Sequence, residues 1–137
     1  MLTKKDRSLE NQARKLIGQL GEQLAADYLV NKGMRIMYRN YFSKRGEIDL
    51  VVTDRGVLVF VEVRTRSTDS FLHPFETISV AKQQKVRRAA VDYLSEYGTP
   101  KINGCRFDAI SVVMREGEEA QIEYVVSAFN GGDQYGI

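Results

Sequence analysis

Gly46-Glu47-Ile48-Asp49-Leu50-Val51-Val52-Thr53-Asp54-Arg55-Gly56-Val57-Leu58-Val59-Phe60-Val61-Glu62-Val63-Arg64 is the stretch on which the fold turns. Thr53-Asp54-Arg55-Gly56 reads as a tight reversal between two β-branched and aromatic runs, so Glu47–Thr53 and Val57–Arg66 are predicted to form an antiparallel hairpin. With Asp54 facing Val57, the numbers of opposed residues sum to 111, which sets Asp49 opposite Glu62 and Glu47 opposite Arg64. Directly opposed residues hold their Cβ atoms about 4.5–5.5 Å apart on one face. A slip of one residue would send the two carboxylates to opposite faces. Alternation groups Ile48, Leu50 and Val52 on one face of the first run and Glu47, Asp49 and Val51 on the other. In the second run Val57, Val59, Val61 and Val63 share a face, as do Leu58, Phe60, Glu62 and Arg64. Apolar residues on both faces mark a central strand covered from both sides.

Outward from the hairpin, a further strand is predicted over Met34–Phe42. Before it, Leu16, Ile17, Leu20, Leu24 and Tyr28 recur at helical spacing within a helix from about Leu9 to Asn31, with Gly33 as its stop. Gly18 and Gly21 weaken that helix, which points to a close backbone approach or an open surface. After the hairpin, Val80, Val86, Ala89, Ala90, Tyr93 and Leu94 make a second helix over Ser79–Tyr97, with Ser79 as N-cap and Gly98 and Pro100 beyond its end. Two strands follow, Arg106–Met114 and Gln121–Ala128, joined by an acidic turn. The expected order is αβββαββ: an α/β domain with a central mixed five-stranded sheet flanked by helices. One domain over 1–129 and a frayed tail over 130–137 are expected from the length and the Gly-rich end.

Composition excludes several classes. A hydrophobic share of 43% with 28% charged residues belongs to a soluble globular protein. No run is long and apolar enough for a membrane span and the N-terminus lacks a signal-peptide core, so the cytoplasm is the expected compartment. Cys105 is the single cysteine, which forbids an internal disulfide and reads as a buried, inert thiol. The net charge of +2 conceals a division: residues 1–88 carry +7 and residues 89–137 carry −5. A basic half suits a polyanion such as nucleic acid, while solvated helix faces and strand ends are the plainer account.

Asp49 opposite Glu62 is the pairing with chemical content. Like charges directly opposed across strands repel, and a divalent cation would offset that repulsion. Carboxylates without His or Cys nearby select Mg²⁺ or Mn²⁺. Such an ion acidifies bound water and stabilises charge on phosphorus, which phosphodiester hydrolysis requires. Ordinary strand-end ion pairs with neighbouring Arg or Lys remain the alternative.

The runs Gly46-Glu47-Ile48-Asp49-Leu50-Val51 and Val59-Phe60-Val61-Glu62-Val63-Arg64 resemble the signature of the YraN-type family of uncharacterised bacterial proteins. So do Gly21-Glu22 with Ala25, Tyr28 and Leu29; Lys85 with Ala89, Ala90, Tyr93 and Leu94; Arg106-Phe107-Asp108; and Ala128-Phe129. The resemblance covers nearly the whole chain. It implies a restriction endonuclease-like fold, similar to Holliday-junction resolvases, with an active site written PD-(D/E)xK and a further acid on the first helix. Carried over, Asp49 is the motif acid, Glu62 the second acid, Arg64 the residue in the lysine slot and Glu22 the helix acid; Asp49 and Glu62 would hold Mg²⁺ or Mn²⁺. Arg64 departs from the pattern: it stays charged and cannot be deprotonated in a protein, so it could stabilise phosphate charge but not act as a base. Ile48 stands where the motif has Pro.

Other residues carry less. His73, the only histidine, precedes Pro74 in a loop. Asp108, amid apolar residues, reads as a structural partner for an arginine or as a group behind the site residues, and is not counted as catalytic. Gln84 and Lys85 read as solvated helix surface. No phosphate-cradling glycine loop occurs. Three functions follow: a metal-dependent nuclease acting on DNA, including branched or damaged DNA; a nucleic-acid-binding module that no longer cleaves; and a scaffold for protein contacts. By analogy with the resolvases, the first implies a homodimer.

Overall fold

A computed structural model describes residues 1–67, 78–98 and 104–131. Its elements run α1 (Lys4–Asn31), β1 (Arg35–Ser43), β2 (Gly46–Asp54), β3 (Val57–Ser67), α2 (Val80–Tyr97), β4 (Cys105–Met114) and β5 (Gln121–Phe129). The five strands form one sheet in the order β1-β2-β3-β4-β5. All neighbours are antiparallel except β3 and β4, which the α2 crossover makes parallel. This mixed sheet with two helices is the restriction endonuclease-like arrangement that the resemblance implied. His73 and Pro100 lie outside the described residues, as does most of the predicted tail.

Burial on both faces of β3 follows from a helix on each side of the sheet. Leu50, Val52, Val59, Val61, Ile110 and Val112 pack with Ala25, Ala26 and Leu29 of α1. Val51, Leu58, Phe60 and Phe107 pack with Val86, Ala89, Ala90 and Tyr93 of α2. Phe60 has Phe107 stacked at 5.4 Å and Tyr93 edge-on at 6.0 Å. Tyr93 in turn meets Tyr41 at 5.2 Å, so aromatic contacts tie α2 to the β1 edge.

Helix α1 departs from the expected reading in two respects. It starts at Lys4 rather than near Leu9, because Thr3 and Asp6 form a capping box that satisfies the first amides. Its core face is not the leucine stripe: Gly21, Ala25, Ala26 and Leu29 are buried, whereas Leu16 and Leu20 are 65% and 53% exposed. Small residues win because the helix lies so close to the sheet. A Cβ on Gly21 would sit 2.0 Å from Thr65 Oγ1, while Gly18 faces open space.

The predicted alternation in β2 also fails at one point. Leu50 and Val52 pack toward α1, but Ile48 packs toward α2 with Val51 and Tyr41. The cause lies in β1, where Asn40 adopts φ 52° between the pairs Arg39–Leu50 and Tyr41–Ile48. Asn tolerates this left-handed conformation better than most residues. Both strands therefore change faces together, and Asp49, opposite Asn40, is the residue at which β2 turns over.

Candidate metal centre

The hairpin register holds as far as it is paired. Asp54–Val57, Thr53–Leu58, Val52–Val59, Val51–Phe60 and Leu50–Val61 face one another, and there the ladder ends. Beyond it β2 continues along β1 as far as Gly46, while β3 continues along β4 as far as Ser67. The sheet thus forks between β2 and β3, and the two acids stand at the fork. Asp49 Oδ2 accepts the Val63 N–H at 2.8 Å, so a carboxylate takes up a β3 amide where the β2 ladder has stopped. Glu47 and Arg64, expected to be opposed, lie past this point and are not paired through the backbone.

Glu62 is 6% exposed, and its Oε2 is buried with no hydrogen-bond partner. Burial, together with the charge of Asp49, holds Glu62 up to about 8, against the opposing pull of Lys82. Burial also raises Asp49, offset by the Val63 N–H, then by a hydrogen bond with Glu62 and the charge of Lys82. The effect is one-sided: Asp49 hinders the ionisation of Glu62, so that Glu62 is the carboxyl that keeps its proton near neutrality.

Lys82 brings a cation to this cluster, and the sequence reading did not single it out. Its Nζ lies 3.3 Å from Glu47 Oε1 and 3.4 Å from Glu62 Oε1. Burial alone would lower its pKa, yet Glu62, then Glu47 and Asp49, raise it. Two local features deliver it. Ser79 caps α2 as predicted, accepting the Lys82 N–H at 3.1 Å and so fixing Lys82 in the first turn. Gly46 then admits that turn against β2: a Cβ there would lie 1.9 Å from the Lys85 carbonyl oxygen. The signals were a capping serine three residues upstream and a glycine at the strand start, whose meaning depends on where α2 docks.

Glu22 approaches the fork from α1. Burial and the charge of Asp49 raise its pKa, while a hydrogen bond with Asn40 lowers it. It borders a cleft with Gln19, Gln23, Arg39, Asn40 and Leu50. Arg64 stands two residues past Glu62 on β3, half-buried and aligned with Ser111 of β4. Of the residues singled out, the fold gathers Asp49 and Glu62 most closely and brings Glu22 to their α1 side; Lys82, which was not among them, stands on their α2 side.

The donor set can be tested against Mg²⁺ or Mn²⁺. Among the described residues, no three His, Cys, Asp or Glu side chains are grouped to hold an ion by themselves. Mg²⁺ commonly uses one or two carboxylates and completes its shell with water and phosphate oxygens, so two acids suffice. The unpartnered, buried Glu62 Oε2 beside Asp49 is the atom such an ion would satisfy. The residues fit.

Asp108 belongs elsewhere. It is fully buried, accepts both contacts from Arg106 Nε at 3.1 Å, accepts the Ser127 N–H at 2.8 Å, and is hydrogen-bonded by the Tyr124 hydroxyl. Ser127 sits in a β5 bulge with φ 53°. This is the arginine partnership expected of Asp108, and it is structural. Cys105 is half-buried rather than buried, with its thiol pKa pushed up by desolvation. Gln84 is half-buried on α2 and Lys85 exposed.

Residues 21–112, which contain the fork, match the model of the uncharacterised protein family UPF0102. A UPF0102 protein of Chlorobium phaeobacteroides is 41% identical over 118 residues, covering 82% of this chain and 93% of the relative. One from Pelotomaculum thermopropionicum is 46% identical over 118 residues, covering 85% and 98%. One from Rhodococcus jostii is 40% identical over 113 residues, covering 82% and 95%.

Proposed function

The chain belongs to the uncharacterised protein family UPF0102, and from the site it carries we propose that it is a metal-dependent phosphodiesterase acting on DNA. The observation that carries this reading is the buried, unpartnered Glu62 Oε2 beside Asp49 at the mouth of the β2–β3 fork. Asp49 and Glu62 would hold Mg²⁺ or Mn²⁺, which when bound supplies an acidified water and offsets negative charge on phosphate. Lys82, 3.4 Å from Glu62 Oε1, contributes a positive charge beside the acids and stabilises the charge that develops on the phosphate oxygens. Val63 N–H holds the Asp49 carboxylate in place. Glu22 is placed to accept a proton on the α1 side, its raised pKa bringing it closer to neutrality. The basic charge of residues 1–88 supports a polyanionic substrate.

The test is cleavage of duplex, single-stranded, branched and damaged DNA with Mg²⁺ or Mn²⁺, beside Asp49→Ala, Glu62→Ala and Lys82→Met. Both acid variants should lose cleavage and Mn²⁺ binding. Lys82→Met should keep Mn²⁺ binding and lose turnover by about 10²-fold or more. Cleavage that survives both acid substitutions defeats the reading. One observation favours a second reading, a DNA-binding module without cleavage: the Lys82 ammonium already bridges Glu47 and Glu62 and competes with a metal for the same charge. Salt-sensitive DNA binding, with no Mn²⁺ affinity in the wild type, would decide for it.

A further inference from the structure

Only the second half of α1 lies on the sheet. Every residue from Met1 to Leu16 is exposed, so the first part of the helix overhangs the body as an arm. Its direction follows from the packing. Gly21 rests against Thr65 near the end of β3, three residues past Glu62, and the residues before Gly21 reach beyond that end of the sheet. The β2–β3 fork opens at the same end.

The arm also has a defined orientation about its own axis. Eighteen residues make five full helical turns at 3.6 residues per turn, a rise of about 27 Å. Lys4 therefore has the azimuth of Glu22, and Arg7, Ser8 and Asn11 have those of the buried Ala25, Ala26 and Leu29. Arg14, Lys15 and Gly18 fill the same stripe. On the docked half this face lies against the sheet; on the arm it is exposed and carries Lys4, Arg7, Arg14 and Lys15, with Glu10 at its edge beside Arg7 and Arg14. Lys4, Arg7 and Lys15, with Ser8, Asn11 and Gln12, line one shallow groove. Asp6 and Glu10 lie to one side of the stripe, and Leu2, Leu9, Leu16 and Leu20 on the side away from it.

We propose that this face of the arm is a docking surface for double-helical nucleic acid, which it holds by its phosphates across the mouth of the β2–β3 fork. A straight helix about 27 Å long from Lys4 to Glu22 spans most of a 34 Å duplex turn. Four cations against one acid at their edge, Glu10, match a row of phosphates. The contacts carry no base information, so binding is independent of sequence and strongly dependent on salt. The inference rests on the DNA reading of the site for its choice of partner, and not on whether the site cleaves.

The experiment measures binding of the full chain to a mixed-sequence duplex in EDTA from 50 to 200 mM salt. It compares wild type with Lys4, Arg7, Arg14 and Lys15 all changed to Gln, and with a control in which Lys5, Lys32, Arg35 and Arg55 are changed to Gln. Each lost phosphate contact removes about 0.9 from the slope of log affinity against log salt. The arm variant should lose about 3 to 4 from that slope, so that its affinity falls about a hundredfold less than that of wild type over this range. The control should keep the wild-type slope. Circular dichroism and Mn²⁺ affinity should match wild type in the arm variant, since the arm contributes nothing to the core or the acids. Equal slopes in the arm variant and wild type overturn the proposal while leaving the metal site intact. Loss of binding on changing Leu9 and Leu16 to Ser, but not on removing the four charges, assigns the arm to contact between copies of the chain and also overturns it. A wild type that binds no duplex at 50 mM salt overturns both this proposal and the DNA reading.

Discussion

Asn40 faces Asp49 across the β1–β2 ladder, between the pairs Arg39–Leu50 and Tyr41–Ile48, and at this pair both strands exchange the faces they bury. The exchange turns Asp49 out of an ordinary strand position and toward the fork, where it reaches Val63 and Glu62. Asn40→Gly, which adopts positive φ freely, should leave stability within about 1 kcal/mol and lose only the Glu22 contact. Asn40→Val should cost about 1–3 kcal/mol in urea unfolding and weaken Mn²⁺ binding, because a β-branched residue resists that conformation. Equal stability of the two variants would show that the strand reversal does not depend on Asn40.

The protonation of Glu62 predicts an inverted pH dependence. Its pKa in the fold, about 8, lies above the ordinary value of 4.5, so the neutral form is the one the fold favours. That stability is fully present below the unfolded pKa and is lost as pH rises through the folded one. Glu62→Gln stays neutral throughout. In EDTA its unfolding free energy from urea titration should match wild type near pH 4.5 and exceed it increasingly toward pH 8, by an amount on the order of a few kcal/mol. Mn²⁺ at pH 8 should raise the wild-type midpoint and leave that of the variant unchanged.

Gly46 has no room for a side chain. Gly46→Ala would force its Cβ into the Lys85 carbonyl, which lies on the backbone and cannot swing aside. The variant should lose about 2 kcal/mol or more and, because α2 must retreat, lose the contacts of Lys82 with Glu47 and Glu62. Thermal denaturation measures the first effect. The second would appear as an unchanged Lys82→Met phenotype when the two substitutions are combined. Gly18→Ala, facing open space, should slightly stabilise α1.

Asp108→Asn should destabilise the fold by about 3–5 kcal/mol, because Arg106 would keep its charge with one buried partner removed. Asp54, at 2.9 Å from Arg106, would remain as its second acid. Mn²⁺ affinity per folded molecule should be unchanged, since none of this network touches the fork. A drop in affinity without loss of stability would place Asp108 in the site instead.

The hairpin was legible because its signals are local: a turn at Arg55-Gly56 and two β-rich runs whose register a single pairing sets. Ser79 and the two-sided burial of β3 were legible for the same reason. What pattern could not reveal was decided by neighbours. Ile48 changes face because of a backbone twist at Asn40, and no alternation rule contains that twist. Leu16 and Leu20 form the more conspicuous stripe on α1, yet helix-to-sheet distance selected Gly21, Ala25 and Ala26. Lys82 gains its place only because Gly46 lets the start of α2 onto β2. The motif seeks its cation at Arg64, on the same strand as Glu62, whereas Lys82 comes from another element.

The parallel ladder of β3 and β4, running from Leu58–Cys105 to Ser67–Met114, sets when the site can exist. Each pair joins residues 47 positions apart, and contacts of such long sequence separation form late because loop closure precedes their reward. Glu62 cannot be buried before β4 pairs beside it, and Lys82 cannot reach Glu62 before the crossover helix docks. The acids therefore stay hydrated and ionised in a nascent chain, and Glu62 takes up its proton only in the last steps of assembly. Refolding from urea at pH 8 without metal should release hydroxide to the medium in its slowest phase.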